Sequence, residues 1–273
     1  MRLSFVKMHG LGNDFVVVDE REGRRTDWPE LAPRLAHRRL GVGCDQVLLL
    51  RPSSAADLRM DIYNADGSRA EMCGNGVRCV ALYARSRGLA PGETLRVDTL
   101  AGIVVTRFRG DQVEVDMGEP VLDGPRIPAA AQGPVREHPL SVGEGTVDVT
   151  CVSMGNPHAV VFVDDAEIYP VADVGPRLET HPFFPRRTNA EFVQVLAPDR
   201  LRMRVWERGA GITLACGTGA CAAAVAAAWT GRAGREVDVV LDGGALHVRW
   251  DPQTSRVHMT GPAVEVFEGT FRL

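Results

Sequence analysis

The chain can be laid upon itself. Displaced by 143 positions and with no gap, Gly12-Asn13 falls on Gly155-Asn156, Leu58-Arg59-Met60 on Leu201-Arg202-Met203, and Cys73-Gly74 on Cys216-Gly217. Gly76, Ala81 and Ala84 fall on Gly219, Ala224 and Ala227, while Gln46 meets Asn189, Tyr63 meets Trp206 and Asn64 meets Glu207. Short words such as Cys-Gly-x-Gly recur by chance, but one ungapped register from Asn13 through Ala84 makes chance the weaker explanation. A duplication changes what every motif means, so it governs the rest of the reading. The 273 residues are read as two copies of one fold, residues 1–117 and 118–262. They join through the Pro- and Gly-rich stretch 118–139, which reads as a linker or long loop.

Local signals agree in both copies. "FVVVD" (15–19), "QVLLL" (46–50) and "LRMDIY" (58–63) are β-rich runs bounded by turn residues, as are "AVVFV" (159–163), "EFVQV" (191–195) and "LRMRVW" (201–206). After each Cys-Gly-x-Gly comes a proline-free segment of good helix formers, residues 77–86 and 220–229. Each cysteine therefore stands where a helix begins. The second segment is apolar nearly all round, which implies burial on every side. Alternating runs at 95–100, 103–108, 112–117, 236–241, 245–250 and 256–261 read as antiparallel hairpins. The fold class expected is α+β, each half a curved, mostly antiparallel sheet around a central helix.

Composition removes several functions. A formal charge of -4 with no basic run gives no footprint for a nucleic-acid backbone. No signal-peptide pattern opens the sequence and no apolar run is long enough to span a bilayer, so a soluble, cytoplasmic protein with no membrane partner is expected. The six cysteines form no Cys-x-x-Cys pair, which disfavours structural zinc and leaves no metal site expected. A single lysine, Lys7, leaves one place for a pyridoxal Schiff base, so no cofactor is expected either. Cys44, Cys79, Cys151 and Cys221 read as packing residues.

Cys73 and Cys216 read differently. A helix N-terminus presents unpaired N–H groups and partial positive charge, binds anions and favours a thiolate. Glycines beside Asn75 and Thr218 let a ligand approach the backbone. Two such termini facing each other fit one amino-acid carboxylate, with a sulfur on each face of its Cα. Inverting a stereocentre by proton transfer needs a base on one face and an acid on the other, and two opposed thiols meet that need. A duplicated site fits the near-planar carbanion between the two forms.

With these residues in view, the sequence resembles the diaminopimelate epimerases, pyridoxal-independent amino-acid racemases. The resemblance lies in "MHGLGNDF" (8–15), "GVGCDQ" (41–46), "NADGSRAEMCGNGVRC" (64–79), "GNPHAVVFVDD" (155–165), "TNAEFVQV" (188–195) and "RVWERGAGITLACGTGACA" (204–222). One departure is Ile212, where the family usually has Glu; a local effect is expected there. The resemblance implies interconversion of LL- and meso-diaminopimelate, for lysine and peptidoglycan precursors, in a cleft between two pseudo-symmetric domains. It also implies a homodimer, with a final strand, about 263–273, that returns to the first domain. Cys73 and Cys216 take the base and acid roles. Gly74, Asn75, Gly217 and Thr218 hold the reacting carboxylate. Asn13, Gln46, Asn64, Asn156, Asn189, Glu207 and Arg208 bind the ammonium groups and distal carboxylate, with Arg208 as the bidentate clasp, and His158 and Glu207 tune the cysteines.

Plainer readings stand beside these. Asn13 and Asn156 also fit turn residues, His158 a loop histidine satisfied by backbone, and Glu207-Arg208 an exposed ion pair. A proline-type racemase on the same fold expects His after the first Cys-Gly and "SPCGTG" at the second, where Asn75 and "LACGTG" stand. A non-catalytic amino-acid-binding protein and a thiol-redox protein are the rivals from other classes.

Overall fold

The computed structural model describes residues 2–23 and 26–273. The chain forms two compact units, one running to Asp116 and including Thr260–Leu273, the other Met117–Met259. In chain order the first contains β1 (Arg2–Gly10), β2 (Asn13–Asp19), α1 (Trp28–Ala36), β3 (Gln46–Arg51), β4 (Leu58–Asn64), β5 (Arg69–Ala70), α2 (Gly74–Ser86), β6 (Thr94–Thr99), β7 (Gly102–Arg109) and β8 (Gln112–Asp116). The second contains β9 (His138–Val142), β10 (Gly145–Ser153), β11 (Pro157–Phe162), α3 (Val171–Glu179), β12 (Asn189–Ala197), β13 (Arg200–Glu207), β14 (Gly211–Ile212), α4 (Gly217–Trp229), β15 (Glu236–Leu241) and β16 (Gly244–Trp250). β17 (Val257–Gly261) follows, and β18 (Val264–Arg272) pairs antiparallel with β1 of the first unit.

The displacement of 143 holds in three dimensions as strand register. β2 runs parallel to β3 with Phe15 opposite Gln46, and β11 runs parallel to β12 with the equivalent His158 opposite Asn189. β3 then pairs antiparallel with β4, as β12 does with β13. α2 and α4 coincide residue for residue at that offset, and so do α1 and α3. Parallel neighbours cannot be joined by a tight turn and need a crossover. α1 and α3 are those crossovers.

Neither crossover helix stands out in the sequence, because each is nine residues long and carries an internal proline, Pro33 or Pro176. Each proline is the sixth of nine residues, where it removes one N–H and the hydrogen bond to the residue four back, which weakens the helical signal. Asp27 caps α1 by accepting from the Glu30 amide, and Trp28, Leu31, Ala32, Leu35 and Ala36 form its buried face. Tertiary burial makes these helices, since each buried large apolar side chain contributes about 1.5–3 kcal/mol.

α2 and α4 are the central helices. α4 packs against β10, β11, β12, β13, β15 and β16, and α2 against β1, β2, β3, β7, β8 and β18. Enclosure by its own sheet explains why α4 is apolar on every side. Gly88 and Gly231, equivalent positions at φ +67° and +74°, end the two helices. Residues 118–137 carry a short 3-10 turn, Gly124–Arg126, and isolated bridges at Val121 and between Asp123 and Pro134; 138–139 already belong to β9, and the stretch is not a solvated linker. Ile127, Ala129 and Val135 are buried in the second core with Leu178 and Phe192, and the Ala130 amide donates to Phe183 O. Its apolar residues supply wall for that core. No helix among the described residues is long and apolar enough to cross a membrane.

Gly67 shows how tightly α1 is seated. It has φ +85°, and an added Cβ would lie 2.3 Å from the Pro29 carbonyl oxygen, the acceptor that Pro33 leaves unused within the helix. Gly67→Ala is expected to lower stability by about 3 kcal/mol, combining left-handed strain with a backbone clash, measured as a fall in the denaturant midpoint without change of slope.

Candidate active site

In the first unit Cys73 is the N-cap residue of α2, in extended conformation at φ -145°, and its Sγ accepts from the Gly76 amide at 3.4 Å. A cysteine at an N-cap places sulfur where serine or aspartate would place oxygen, beside the unpaired amides of the first turn. Gly74 and Asn75 begin the helix and are buried. Asn13, at the start of β2, lies with its Oδ1 3.8 Å from Cys73 Sγ and accepts there from Asn75 Nδ2 at 3.2 Å. Gln46 and Asn64 face each other across β3 and β4, joined Nε2 to Oδ1 at 2.8 Å. Gln46 Oε1 is buried without a hydrogen-bond partner among the described residues. A buried orphan acceptor is costly, and an ammonium group would satisfy it.

In the second unit Cys216 N-caps α4 in the same extended conformation, φ -118°. Its Sγ lies 3.5 Å from Thr218 Oγ1, and Glu207, which closes β13 and accepts from Thr213 Oγ1, bears on the thiol through its charge. A Cβ on Gly219 would stand 3.2 Å from that sulfur, so only glycine admits it so close to the helix. The helix terminus leads one to expect a lowered thiol pKa, and here the opposite holds. Burial pushes Cys216 well above its ordinary value, and the negative charges of Glu207 and Glu191 push it further, outweighing the hydroxyl of Thr218. Burial likewise raises the Glu207 carboxyl.

His158, on β11, is wholly buried, with Nδ1 2.7 Å from Glu191 Oε1 and Nε2 3.0 Å from Asn156 Oδ1. It is therefore held by side chains rather than by backbone. Asn189 spends its amide on Pro157 O at 2.8 Å and its carbonyl on the Arg208 amide at 2.9 Å, which fixes the end of β13. Arg208 is exposed, with Nη1 3.2 Å from Arg186 O. Thus Asn13, Gly74 and Asn75 gather around Cys73, while Thr218 touches Cys216 directly and Glu207 bears on it through charge. No cluster of three or more His, Cys, Asp or Glu side chains placed to hold a metal ion occurs among the described residues.

A family model described as Diaminopimelate epimerase matches residues 5–122 and 150–266. The diaminopimelate epimerase of Moorella thermoacetica is 57% identical over 278 aligned residues, covering 99% of this chain and 100% of the relative, and that of Heliobacterium modesticaldum is 51% identical with the same coverage. The chain belongs to the diaminopimelate epimerase family. Among solved structures, a hydroxyproline epimerase from Agrobacterium vitis superposes with a TM-score of 0.72 at 17% identity, covering 98% of this chain and 92% of that one. That likeness carries the fold alone, α+β with two halves.

Against the family's motifs, Ile212 is 42% exposed on β14, opposite Trp206. The four other cysteines are buried, and burial raises Cys44 and Cys79 to about 12, as expected of packing residues. Three positioning groups escaped the sequence reading. Glu179, at the end of α3, accepts from Trp206 Nε1 at 2.7 Å and from the Gly209 amide at 3.0 Å, bracing the turn that carries Glu207 and Arg208. Glu191 is the second. The third is a charged brace in which Lys7 and Arg38 hold Asp14, and Asp45 accepts from Asn13 Nδ2 at 2.7 Å. Lys7 also donates to Gly43 O. Only the side-chain charges of these residues were visible in the sequence, and charge alone does not reveal a partner.

Burial by itself would raise the Asp14 carboxyl, but hydrogen bonds and charge from Arg38 and Lys7 outweigh it and hold the group at about 2, below its ordinary 3.8. A depressed folded-state pKa contributes stability that is present above the unfolded value and lost as pH falls through the folded one. Asp14→Asn is therefore expected to cost up to about 2 kcal/mol at neutral pH. The difference from the parent should shrink as pH drops from about 4 towards 2, read from urea unfolding at a series of pH values.

Proposed function

We propose that this chain is a diaminopimelate epimerase, an isomerase that interconverts LL- and meso-diaminopimelate without a cofactor, and that it acts in the cytoplasm in lysine and peptidoglycan precursor synthesis. The observation that carries the reading is the equivalent pair of cysteine-capped helix starts, in a chain 57% identical over its length to a curated diaminopimelate epimerase. Cys73 and Cys216 serve opposite faces of the substrate Cα. One sulfur, as thiolate, takes the α-proton as the Cα–H bond breaks; the other, as thiol, delivers its proton to the opposite face. The two exchange roles in the reverse direction.

Each residue has a physical task. The backbone amides at Gly74 and Asn75, and at Gly217 and Thr218, receive the reacting carboxylate, an interaction worth about 0.3–2 kcal/mol per helix terminus. Their donors stabilise the charge that spreads onto that carboxylate as the carbanion develops. The unpartnered Gln46 oxygen takes an ammonium hydrogen, with Asn13, Asn64 and Asn156 as further amide partners and Asn189 bracing the loop beside them. The exposed Arg208 clasps the distal carboxylate, and a guanidinium does this with two parallel hydrogen bonds. Glu207, through its charge near the Cys216 thiol, and His158 set its readiness to give up a proton. The protein works as a homodimer through β18, where Val264, Val266 and Phe267 are each 42–54% exposed.

Incubated in deuterium oxide with diaminopimelate, the enzyme is expected to incorporate deuterium at Cα and to yield both stereoisomers on chiral separation. A binding or redox protein leaves that hydrogen in place. Cys73→Ala and Cys216→Ala should each reduce inversion by at least ~10²-fold, the lower end for loss of a proton-transferring group. Near-parental turnover by either variant contradicts the assigned roles.

A further inference from the structure

The two halves are not chemically equal around their sulfurs. Behind Gly76 in the first unit stands Leu48, whose Cδ1 would lie 3.2 Å from an added Cβ. Behind the equivalent Gly219 stands Glu191, whose Oε1 would lie 2.8 Å from one. Leu48 and Glu191 occupy the same position of the repeat, as do Phe15 and His158. Where the first half has an apolar pair, the second has a buried acid and its histidine.

Glu191 is fully buried on β12. Its Oε1 is fixed by His158 Nδ1 at 2.7 Å, and its Oε2 has no hydrogen-bond partner among the described residues. Leaving one oxygen of a buried carboxyl unpaired is destabilising, and packing alone would be served as well by leucine, as the first half demonstrates. The titratable groups facing Cys216 are Glu207 from β13 and Glu191 from β12, with His158 of β11 behind the latter; α4 adds the Thr218 hydroxyl. Both carboxyls act on the thiol through charge.

The geometry points to Glu191, oriented by His158, as a positioning residue that keeps the proton on Cys216 in the resting enzyme, so that the two cysteines start each cycle in unlike protonation states. A carboxylate in a dry site opposes a second negative charge beside it, so the thiol form of Cys216 is the favoured one. The first half has no such carboxylate at the equivalent position. A two-base mechanism needs one thiolate and one thiol at once, and two identically tuned sulfurs populate that mixed state less fully than an unlike pair. The asymmetry supplies the difference.

The inference rests on the acid–base role proposed for Cys216, yet its test needs no substrate. The ultraviolet thiolate absorbance of Cys73→Ala is titrated with pH, and the titration of the Cys73→Ala, Cys216→Ala double variant is subtracted, leaving Cys216. Adding Glu191→Gln is expected to move that midpoint at least one pH unit lower, roughly tenfold more thiolate at a given pH. Should the Gln variant not fold, Glu191→Leu with His158→Phe copies the pair found in the first half and is expected to shift the midpoint in the same direction. An unchanged midpoint in either folded variant overturns the proposal. Because diaminopimelate is absent from the titration, a chain that inverted some other amino acid would still show the shift, and failure of the substrate assignment stays separate from failure of this one.

Discussion

Each half of the molecule depends on a cysteine standing at the cap of a helix that its own sheet encloses. The cap position is where backbone amides lack partners, and the residues that follow must be small enough for sulfur and ligand to reach them. Gly76 and Gly219 meet that demand, since a Cβ on either would press on the residue behind it, Leu48 or Glu191, and on Gly219 would also press on the sulfur of Cys216. Enclosure by the sheet strips water from the sulfur of Cys216, whereas Cys73 is half-buried. At Cys216 that effect dominates, and dehydration sets the state of the thiol more strongly than the partial charge of the helix.

The chemistry is distributed by the parallel strand pair at the middle of each half. β2 beside β3, and β11 beside β12, bring residues distant in sequence to one end of the sheet, and the crossover helices hold them there. In the first unit Asn13 and Gln46 begin neighbouring strands, with Asp14, Asp45, Lys7 and Arg38 pinning the loop ends. In the second unit the corresponding support differs: Asn189 and Glu179 hold the turn after β13 through backbone amides. Duplication preserved the frame and let the braces diverge. At the position of Glu179 the first half has Ala36, and at the position of Asp14 the second has Pro157.

Much of the architecture was legible in the chain. Both central helices and the three principal strands of each half were visible, because apolar periodicity and the repeat reinforce one another. α1 and α3 were not, since prolines inside short amphipathic segments disguise helices whose stability comes from burial. Residues 118–139 looked like a linker by composition, while Ile127, Ala129 and Val135 pack into the second core. Around the candidate site the cysteines, Asn13, Asn75, Glu207 and His158 were identified from motif and repeat. Glu191 lay inside a quoted motif and still passed unnoticed, because nothing in a strand's sequence says that an acid faces inward.

The sequence alone determined that there are two copies, that each presents a cysteine at a helix start, and that the chain carries the diaminopimelate epimerase motifs in order. Those properties are local, or are comparisons of the chain with itself, and linear order is enough to express them. The tertiary structure alone decided the protonation preference of Cys216, the partner of His158 and the unlike surroundings of the two half-sites. Such properties depend on which groups are brought within a few ångströms inside a medium that excludes water, and burial multiplies charge–charge effects that are nearly invisible along the chain.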